Sequence, residues 1–120
     1  MRIGFLSAEA ARTFSEFELM TRAFGAEVAY KLANRFALLS AAGNLSLVPT
    51  TLPIALRPID GEAAGFAVTV CPTMRLAFTA LDATAARQRA LAKITEIEIR
   101  GVEHVRHTSD SRTRRTARTS

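Results

Sequence analysis

The feature that most constrains this chain is a pair of alternating stretches between Gly65 and Thr79. In each stretch an apolar side chain recurs at every second residue, which is the period that buries one face of a pleated β-strand. The short connection Cys71-Pro72-Thr73 separates the two stretches, so we expect an antiparallel pair at the centre of a sheet. The side chains predicted to face the core are those of Phe66, Val68, Val70, Met74, Leu76 and Phe78.

Arg75 is the one charged residue inside this apolar block. A guanidinium beside a sheet core either reaches solvent from an edge or binds an anion. In the first interpretation Arg75 pairs with Glu96 or Glu98, and in the second it contacts a phosphate. The residues alone leave both interpretations open.

Two helices are predicted before the central strands. Ser7 is a suitable N-cap for a first helix from Ala8 to about Phe24, and Gly25 ends that helix. Apolar residues at helical spacing predict a second helix from Ala26 to about Ala42. In this second helix Tyr30 is expected to pack, whereas Lys31 and Arg35 are expected to make the outer face mildly positive.

The other elements complete a small α+β domain. They are a first strand from Arg2 to Leu6, a second strand from Ile54 to Ile59, a turn at Asp60-Gly61, a short helix within Asp82 to Ala92 with Asp82 or Thr84 as its N-cap, and a last strand from Ile94 to Val102 with a bulge or strand end at Gly101. The predicted fold therefore has two N-terminal helices packed on a largely antiparallel sheet of four to five strands.

Composition favours a single cytoplasmic domain. The 120 residues are 48% hydrophobic and 22% charged, and no apolar run approaches the ~20 residues of a membrane helix. Cys71, the single cysteine, cannot form an internal disulfide and is expected to be structural. No spacing of Cys and His predicts a zinc site, so we expect neither a metal nor another cofactor.

The net charge of +5 is concentrated at the C-terminus, where residues 107–120 hold four arginines and one acid. This segment has no apolar periodicity and is rich in Ser, Thr and Arg, so it is predicted to be a disordered basic tail. It either holds RNA phosphates non-specifically or is a solvated end without a role.

Several blocks of sequence together resemble the HigB-like killer-protein branch of the RelE/ParE toxin superfamily. These blocks are FGAEVAYKLANR at 24–35, SAAGNL at 40–45, LRPIDG at 56–61, RLAF at 75–78 and ITEIEIRGVE at 94–103. They occur in the order found in the family and cover most of residues 1–105. The resemblance implies a toxin domain at 1–106, and the tail at 107–120 falls outside it.

The resemblance also implies a RelE-like fold and a function. The expected function is that of a toxin of a type II toxin-antitoxin system, most often a ribosome-dependent mRNA endonuclease that needs no metal. The expected partners are mRNA on the ribosome and a helix-turn-helix antitoxin, through which alone the toxin would contact DNA. Two alternatives stay open: a ParE-like inhibitor of DNA gyrase, and a non-catalytic relative that only binds its antitoxin.

The resemblance implies three catalytic candidates. Arg75 matches the arginine of the family's RLIF strand, and Arg57 stands where many relatives have a histidine. Both could neutralise a phosphate in the transition state. His104 lies two residues before the position of the family's terminal histidine, and its imidazole suits proton transfer near neutral pH. His104 is otherwise an exposed strand-end histidine. The family's basic turn is replaced here by Glu62-Ala63-Ala64.

A second set of basic residues lies towards the end of the domain. These candidates for RNA binding are Arg87, Arg89, Lys93 and Arg100. A basic cluster can contact RNA phosphates, but it can also be an ordinary solvated face.

Overall fold

The two alternating stretches form neighbouring strands at the centre of a five-stranded sheet in the computed structural model, which describes residues 1–105. The predicted basic tail lies outside the described residues. The strands are β1 (Arg2–Phe5), β2 (Arg57–Pro58), β3 (Gly65–Cys71), β4 (Met74–Ala80) and β5 (Glu96–His104). The helices are α1 (Ala8–Ser15), α2 (Phe17–Phe24), α3 (Ala26–Ala41) and α4 (Ala83–Arg87), with short 3₁₀ helices at Leu45–Leu47 and Leu91–Lys93.

The sheet is mixed, with the strand order β1-β5-β4-β3-β2. β1 runs parallel to β5, and every other neighbouring pair is antiparallel. The α+β class and the antiparallel pairing of β3 with β4 are therefore confirmed. Within residues 1–105, no helix combines the length and the apolar character that crossing a bilayer requires.

One face of the sheet carries the apolar core. Leu32 and Leu39 of α3 are fully buried, as are Phe78, Ile97 and Ile99 of the sheet. All five belong to one apolar cluster that joins the helices to the sheet. The apolar side chains that were predicted to face the core in β3 and β4 thus pack against the helix layer, although Met74, the first residue of β4, is only half-buried.

The predicted first helix is wrong in one respect, because it is two helices. Glu16 has an extended backbone (φ −131°, ψ 129°) and separates α1 from α2. The ring of Phe14 lies 6.1 Å from the ring of Phe24 and 5.3 Å from that of Phe36. In one continuous helix, Phe14 and Phe24 would be about 15 Å apart along the axis. The break therefore allows both rings to enter the same aromatic cluster.

Local signals for the helix ends are confirmed. The Ser7 hydroxyl accepts a hydrogen bond of 3.0 Å from the Ala10 amide, and the Asp82 carboxylate accepts one of 2.9 Å from the Ala85 amide. Gly25 ends α2 with φ at +88°, a value that glycine adopts without strain.

The predicted second strand is much shorter than expected. Only Arg57–Pro58 pairs with β3, while the Ala55 amide donates to the Thr51 carbonyl at 2.8 Å in a turn. Ala55 has φ at +48°, which is incompatible with an extended strand. Pro58 lacks an amide donor, so β2 forms a short sheet edge.

Two predictions about α3 are corrected. Tyr30 was expected to pack, yet 72% of its surface is exposed. Arg35 was expected on the outer face, yet only 6% of it is exposed. Arg35 lies three residues after Leu32 and four before Leu39, so the helical period places it on the buried stripe.

Candidate functional site

The face of the sheet away from the helices carries charged side chains, and we call it the charged face. Strand register places Arg57 opposite Ala67, and Thr69 opposite Arg75. Ala67 also pairs with Ala77, and Arg75 with Glu103. Because paired residues of neighbouring strands point to the same face, Arg57 and Arg75 share this face with Glu103.

Arg57 and Arg75 line one cavity of about 160 Å³, which we call the arginine cavity. Its other lining residues are Ala55, Ala67, Val68, Thr69 and Val105. This volume is below the ~300–1,000 Å³ typical of sites for whole small molecules. The cavity therefore suits one functional group of a larger ligand.

Arg57 contributes a charge that no carboxylate within residues 1–105 neutralises through an ion pair. Its Nη1 donates to the Thr50 carbonyl at 3.0 Å, which orients the side chain but leaves the charge available. An exposed guanidinium held by a neutral oxygen can still bind an anion through its remaining donors.

Arg75 is held by a carboxylate on the same face. Its Nε and Nη2 lie 2.9 Å and 2.8 Å from Glu103 Oε1. Glu103 Oε2 lies 3.5 Å from Arg100 Nη2, and Arg100 also bonds to Glu62. The partner expected for Arg75 was Glu96 or Glu98, and that expectation is wrong because the register puts Glu103 opposite it.

The resulting ion-pair chain runs from Glu62 through Arg100 and Glu103 to Arg75. The hydrogen bond from Arg100 holds the pKa of the Glu62 carboxyl below its ordinary value of 4.5. The same bond raises the pKa of Arg100. The ion-pair chain and Arg57 together comprise three guanidinium groups and two carboxylates. Strand register also places Glu98, opposite Thr79, on this face.

Replacing Glu62 by glutamine is expected to make folding stability less sensitive to acid. Because its pKa is lower in the folded chain, Glu62 stabilises the fold above pH 4.5, and this contribution disappears as the pH falls through the folded-state pKa. Glu62→Gln should therefore lose less stability than the wild type between about pH 6 and about pH 3 in urea unfolding.

The matched control for this experiment is Glu18→Gln. The Glu18 carboxylate lies 3.8 Å from Arg22, and both side chains are more than 70% exposed. Such an exposed pair contributes little to stability. If Glu62→Gln loses as much stability on acidification as the wild type, the bond to Arg100 does not form in solution.

His104 is not brought to the charged face. It pairs with Met74. The next pair on the same face of the sheet is Leu76 with Val102, and both of these residues pack in the apolar core. A β-bulge shifts the register so that Ala77 pairs with Gly101 and Phe78 with Ile99. The additional residue reverses the alternation after Arg100. His104 is exposed, but on the opposite side from Arg57 and Arg75.

The four candidates for RNA binding do not form one cluster. Arg100 belongs to the ion-pair chain, whereas Arg89 lies over the ring of Phe66, with its guanidinium carbon 5.8 Å from the centroid. Arg87 contacts Thr84 at 3.5 Å within α4. Lys93 lines a separate surface cavity with Asp82 and Glu96 among its neighbours. A role in RNA binding stays a prediction for each.

Sequence reasoning missed Glu103 and misplaced Arg35. No short-range pattern identifies Glu103, because its contact with Arg75 depends on the bulge in β5.

Cys71 is half-buried and lies 3.6 Å from the Thr73 hydroxyl. Burial acts to raise the pKa of Cys71, but hydrogen bonds from Thr73 and Met74 and the charge of Lys31 lower it overall.

Among residues 1–105, no three His, Cys, Asp or Glu side chains are grouped so that they could hold a metal ion. Comparisons of this chain with protein-family models, with curated proteins and with solved structures find no match.

Proposed function

We propose that this chain is a type II toxin of the RelE/ParE kind, and that its charged face binds an RNA phosphate during metal-independent cleavage of mRNA on the ribosome. One observation carries the proposal: Arg57 and Arg75, from the two strands that flank β3, line the same small cavity. The proposal includes a RelE-like fold, which the order of helices and strands supports. It also includes a helix-turn-helix antitoxin as the partner.

The two guanidinium groups would neutralise the phosphate. When a ribose 2′-oxygen attacks the phosphorus, additional negative charge develops on the phosphate oxygens, and positioned donors stabilise it. Within residues 1–105, Arg57 has no carboxylate partner and Arg75 Nη1 has no hydrogen-bond partner. The phosphate would compete with Glu103 for the remaining donors of Arg75.

Glu103 is the carboxylate placed to take part in proton transfer on this face. Once displaced from Arg75, it would accept the proton of the attacking 2′-hydroxyl. The bond between phosphorus and the 5′-oxygen then breaks, leaving a 2′,3′-cyclic phosphate. The 5′-oxygen would take its proton from water, since His104 lies across the sheet from this site.

Arg57→Ala and Arg75→Ala are each expected to weaken binding of single-stranded RNA about tenfold. Removing one phosphate contact should also reduce the slope of log affinity against log salt concentration by about 1. Fluorescence anisotropy with a labelled RNA at several salt concentrations measures both quantities. Arg22→Ala is the control, because that exposed arginine lies on α2 in the helix layer.

Cleavage is tested with purified ribosomes and a translated mRNA. The wild-type chain should cut the message and stop growth when it is induced, and Arg75→Ala should do neither. An intact message together with growth arrest would refute the endonuclease proposal and favour another target, such as gyrase. Unchanged RNA affinity in both arginine variants would refute the phosphate site.

The second candidate function is that of a non-catalytic relative that only binds its antitoxin. The observation that favours it is the ion-pair chain, in which Glu62 and Glu103 already occupy Arg100 and Arg75. The position of His104 on the other face also favours it. Harmless overexpression with intact mRNA, together with binding to a helix-turn-helix protein encoded next to this gene, would support this candidate.

A further inference from the structure

A larger cavity lies between α3 and the end of β3, and we call it the Lys31 cavity. Its volume is about 530 Å³, within the ~300–1,000 Å³ range of small-molecule sites. The lining residues are Lys31, Arg35, Leu52, Pro53, Thr69, Val70, Cys71 and Pro72. Apolar side chains dominate this lining, and of the described residues that form it two are cationic and none is acidic.

Arg35 brings a buried positive charge to this cavity. Its Nε donates to the Thr69 carbonyl at 2.7 Å, its Nη1 to Asn34 Oδ1 at 2.8 Å, and its Nη2 to the Pro53 carbonyl at a long 3.4 Å. All three acceptors are neutral, and no carboxylate of residues 1–105 forms an ion pair with Arg35. Burial accordingly lowers the pKa of Arg35.

The guanidinium has capacity for a further acceptor. An arginine carries five N–H donors, and the described hydrogen bonds use three of them. A buried charge without a counter-ion is unfavourable, so an anion that reached Arg35 would gain from its charge and its unused donors. Lys31, one turn earlier in α3, adds a second positive charge at the same cavity.

The apolar walls restrict which anion fits. Leu52 is 78% exposed at the cavity rim, and Val70 is a buried wall residue. Pro53 and Pro72 add rigid apolar surface. A hydrated inorganic ion would gain nothing from these walls, whereas a hydrocarbon body would be removed from water there.

We propose that the Lys31 cavity binds a small monocarboxylate with an apolar body, its carboxylate between Arg35 and Lys31 and its body against Leu52, Pro53, Val70 and Pro72. This site shares only Thr69 with the arginine cavity and does not depend on the proposed toxin function. The bound carboxylate would be the counter-ion that Arg35 lacks among the described residues.

The test uses the full-length chain and three probes: octanoate, octanamide and acetate. Octanoate should bind saturably in titration calorimetry and raise the thermal unfolding temperature, since a ligand of the folded state stabilises it. Octanamide, with nearly the same body and no charge, and acetate, with the charge and almost no body, should each bind at least tenfold more weakly. In two-dimensional NMR, octanoate should shift the amide resonances of Val70 and Cys71.

Two variants locate the site without disturbing the core. Lys31→Met should weaken octanoate binding about tenfold, because one charge is removed from the cavity. Leu52→Glu should abolish binding, because it places a negative charge at the rim. The controls are Lys93→Met, which alters the chain's other lysine, and Leu47→Glu, which alters another exposed leucine.

The expected result is octanoate binding that both cavity variants lose and both control variants keep. Equal affinity for octanoate and octanamide, or an affinity that Lys31→Met and Leu52→Glu leave unchanged, would overturn the proposal. Absence of saturable octanoate binding by the wild-type chain would also overturn it.

Discussion

Phe78→Ala is expected to lower the free energy of unfolding by about 3–5 kcal/mol, the usual cost of removing a buried aromatic ring. Phe78 lies on β4, the middle strand of the sheet, and is completely buried. Its ring centroid is 6.4 Å from that of Phe66, which faces it on β3. Alanine at this position leaves a cavity between the sheet and the helices, and the packed neighbours can fill it only in part. Urea unfolding followed by circular dichroism measures the loss.

Phe17→Ala is the matched control for this prediction. Phe17 begins α2 and is 49% exposed, so its replacement should cost less than about 1 kcal/mol. Equal losses for the two phenylalanines would mean that the apolar core is not on the side of the sheet described here.

Arg35→Ala is expected to lower the free energy of unfolding by about 3 kcal/mol. Each hydrogen-bond acceptor left without its donor costs about 1–3 kcal/mol, and water that bonds to these acceptors reduces this cost. The Arg35 side chain ties α3 to the carbonyl of Thr69 in β3 and to that of Pro53 in the preceding loop. Removing it leaves these carbonyl groups without this donor at the Lys31 cavity, where water can reach the exposed Pro53. The same unfolding measurement applies.

Two further variants sharpen the prediction for Arg35. Arg22→Ala removes an arginine whose side chain is 72% exposed, and it should change stability by no more than about 0.5 kcal/mol. Arg35→Lys should recover little of the loss, because one ammonium cannot replace a planar group that bonds to three acceptors. If Arg35→Ala is as stable as the wild type, these hydrogen bonds contribute nothing net to the fold.

The two faces of the sheet have different chemical roles. One face packs against the helices through apolar side chains, and the other carries the ion-pair chain next to Ala67 and Ala77. Any phosphate that binds to the second face must compete with Glu103 for Arg75, whereas Arg57 is already available. If Glu103 competes with the phosphate for Arg75, Arg75→Ala should weaken RNA binding less than Arg57→Ala does.

The position of Glu62 depends on a glycine. A Cβ atom added to Gly65 would lie 2.3 Å from Glu62 Oε1 and 3.0 Å from its Cβ. Any larger residue at position 65 would therefore displace the carboxylate from Arg100 or shift β3. The turn before β3 thus holds an acidic group that neutralises Arg100.

Elements whose signals are local were predictable from the amino-acid sequence. Alternation in β3 and β4, the N-caps at Ser7 and Asp82, and the glycine that ends α2 each depend on a few adjacent residues. The same alternation placed Arg75 on the face away from the core, whereas Arg57 was a candidate only through the resemblance in sequence. Local patterns therefore singled out one of the two arginines of the candidate site.

The other features depend on contacts between residues that are far apart in the chain. The break at Glu16 allows Phe14 and Phe24, ten residues apart, to pack together, and the buried Arg35 bonds to carbonyl groups supplied by β3 and by the loop at Pro53. The bulge at Arg100 depends on how β5 pairs with β4, and it puts Glu103 beside Arg75 and His104 on the other face. Gly101 indicated a bulge or a strand end at this place, and the register shift lies beside it. A strand's side chains alternate with a period of two, so the additional residue exchanges the two faces, and only the pairing of β5 with β4 shows which residues then face Arg75.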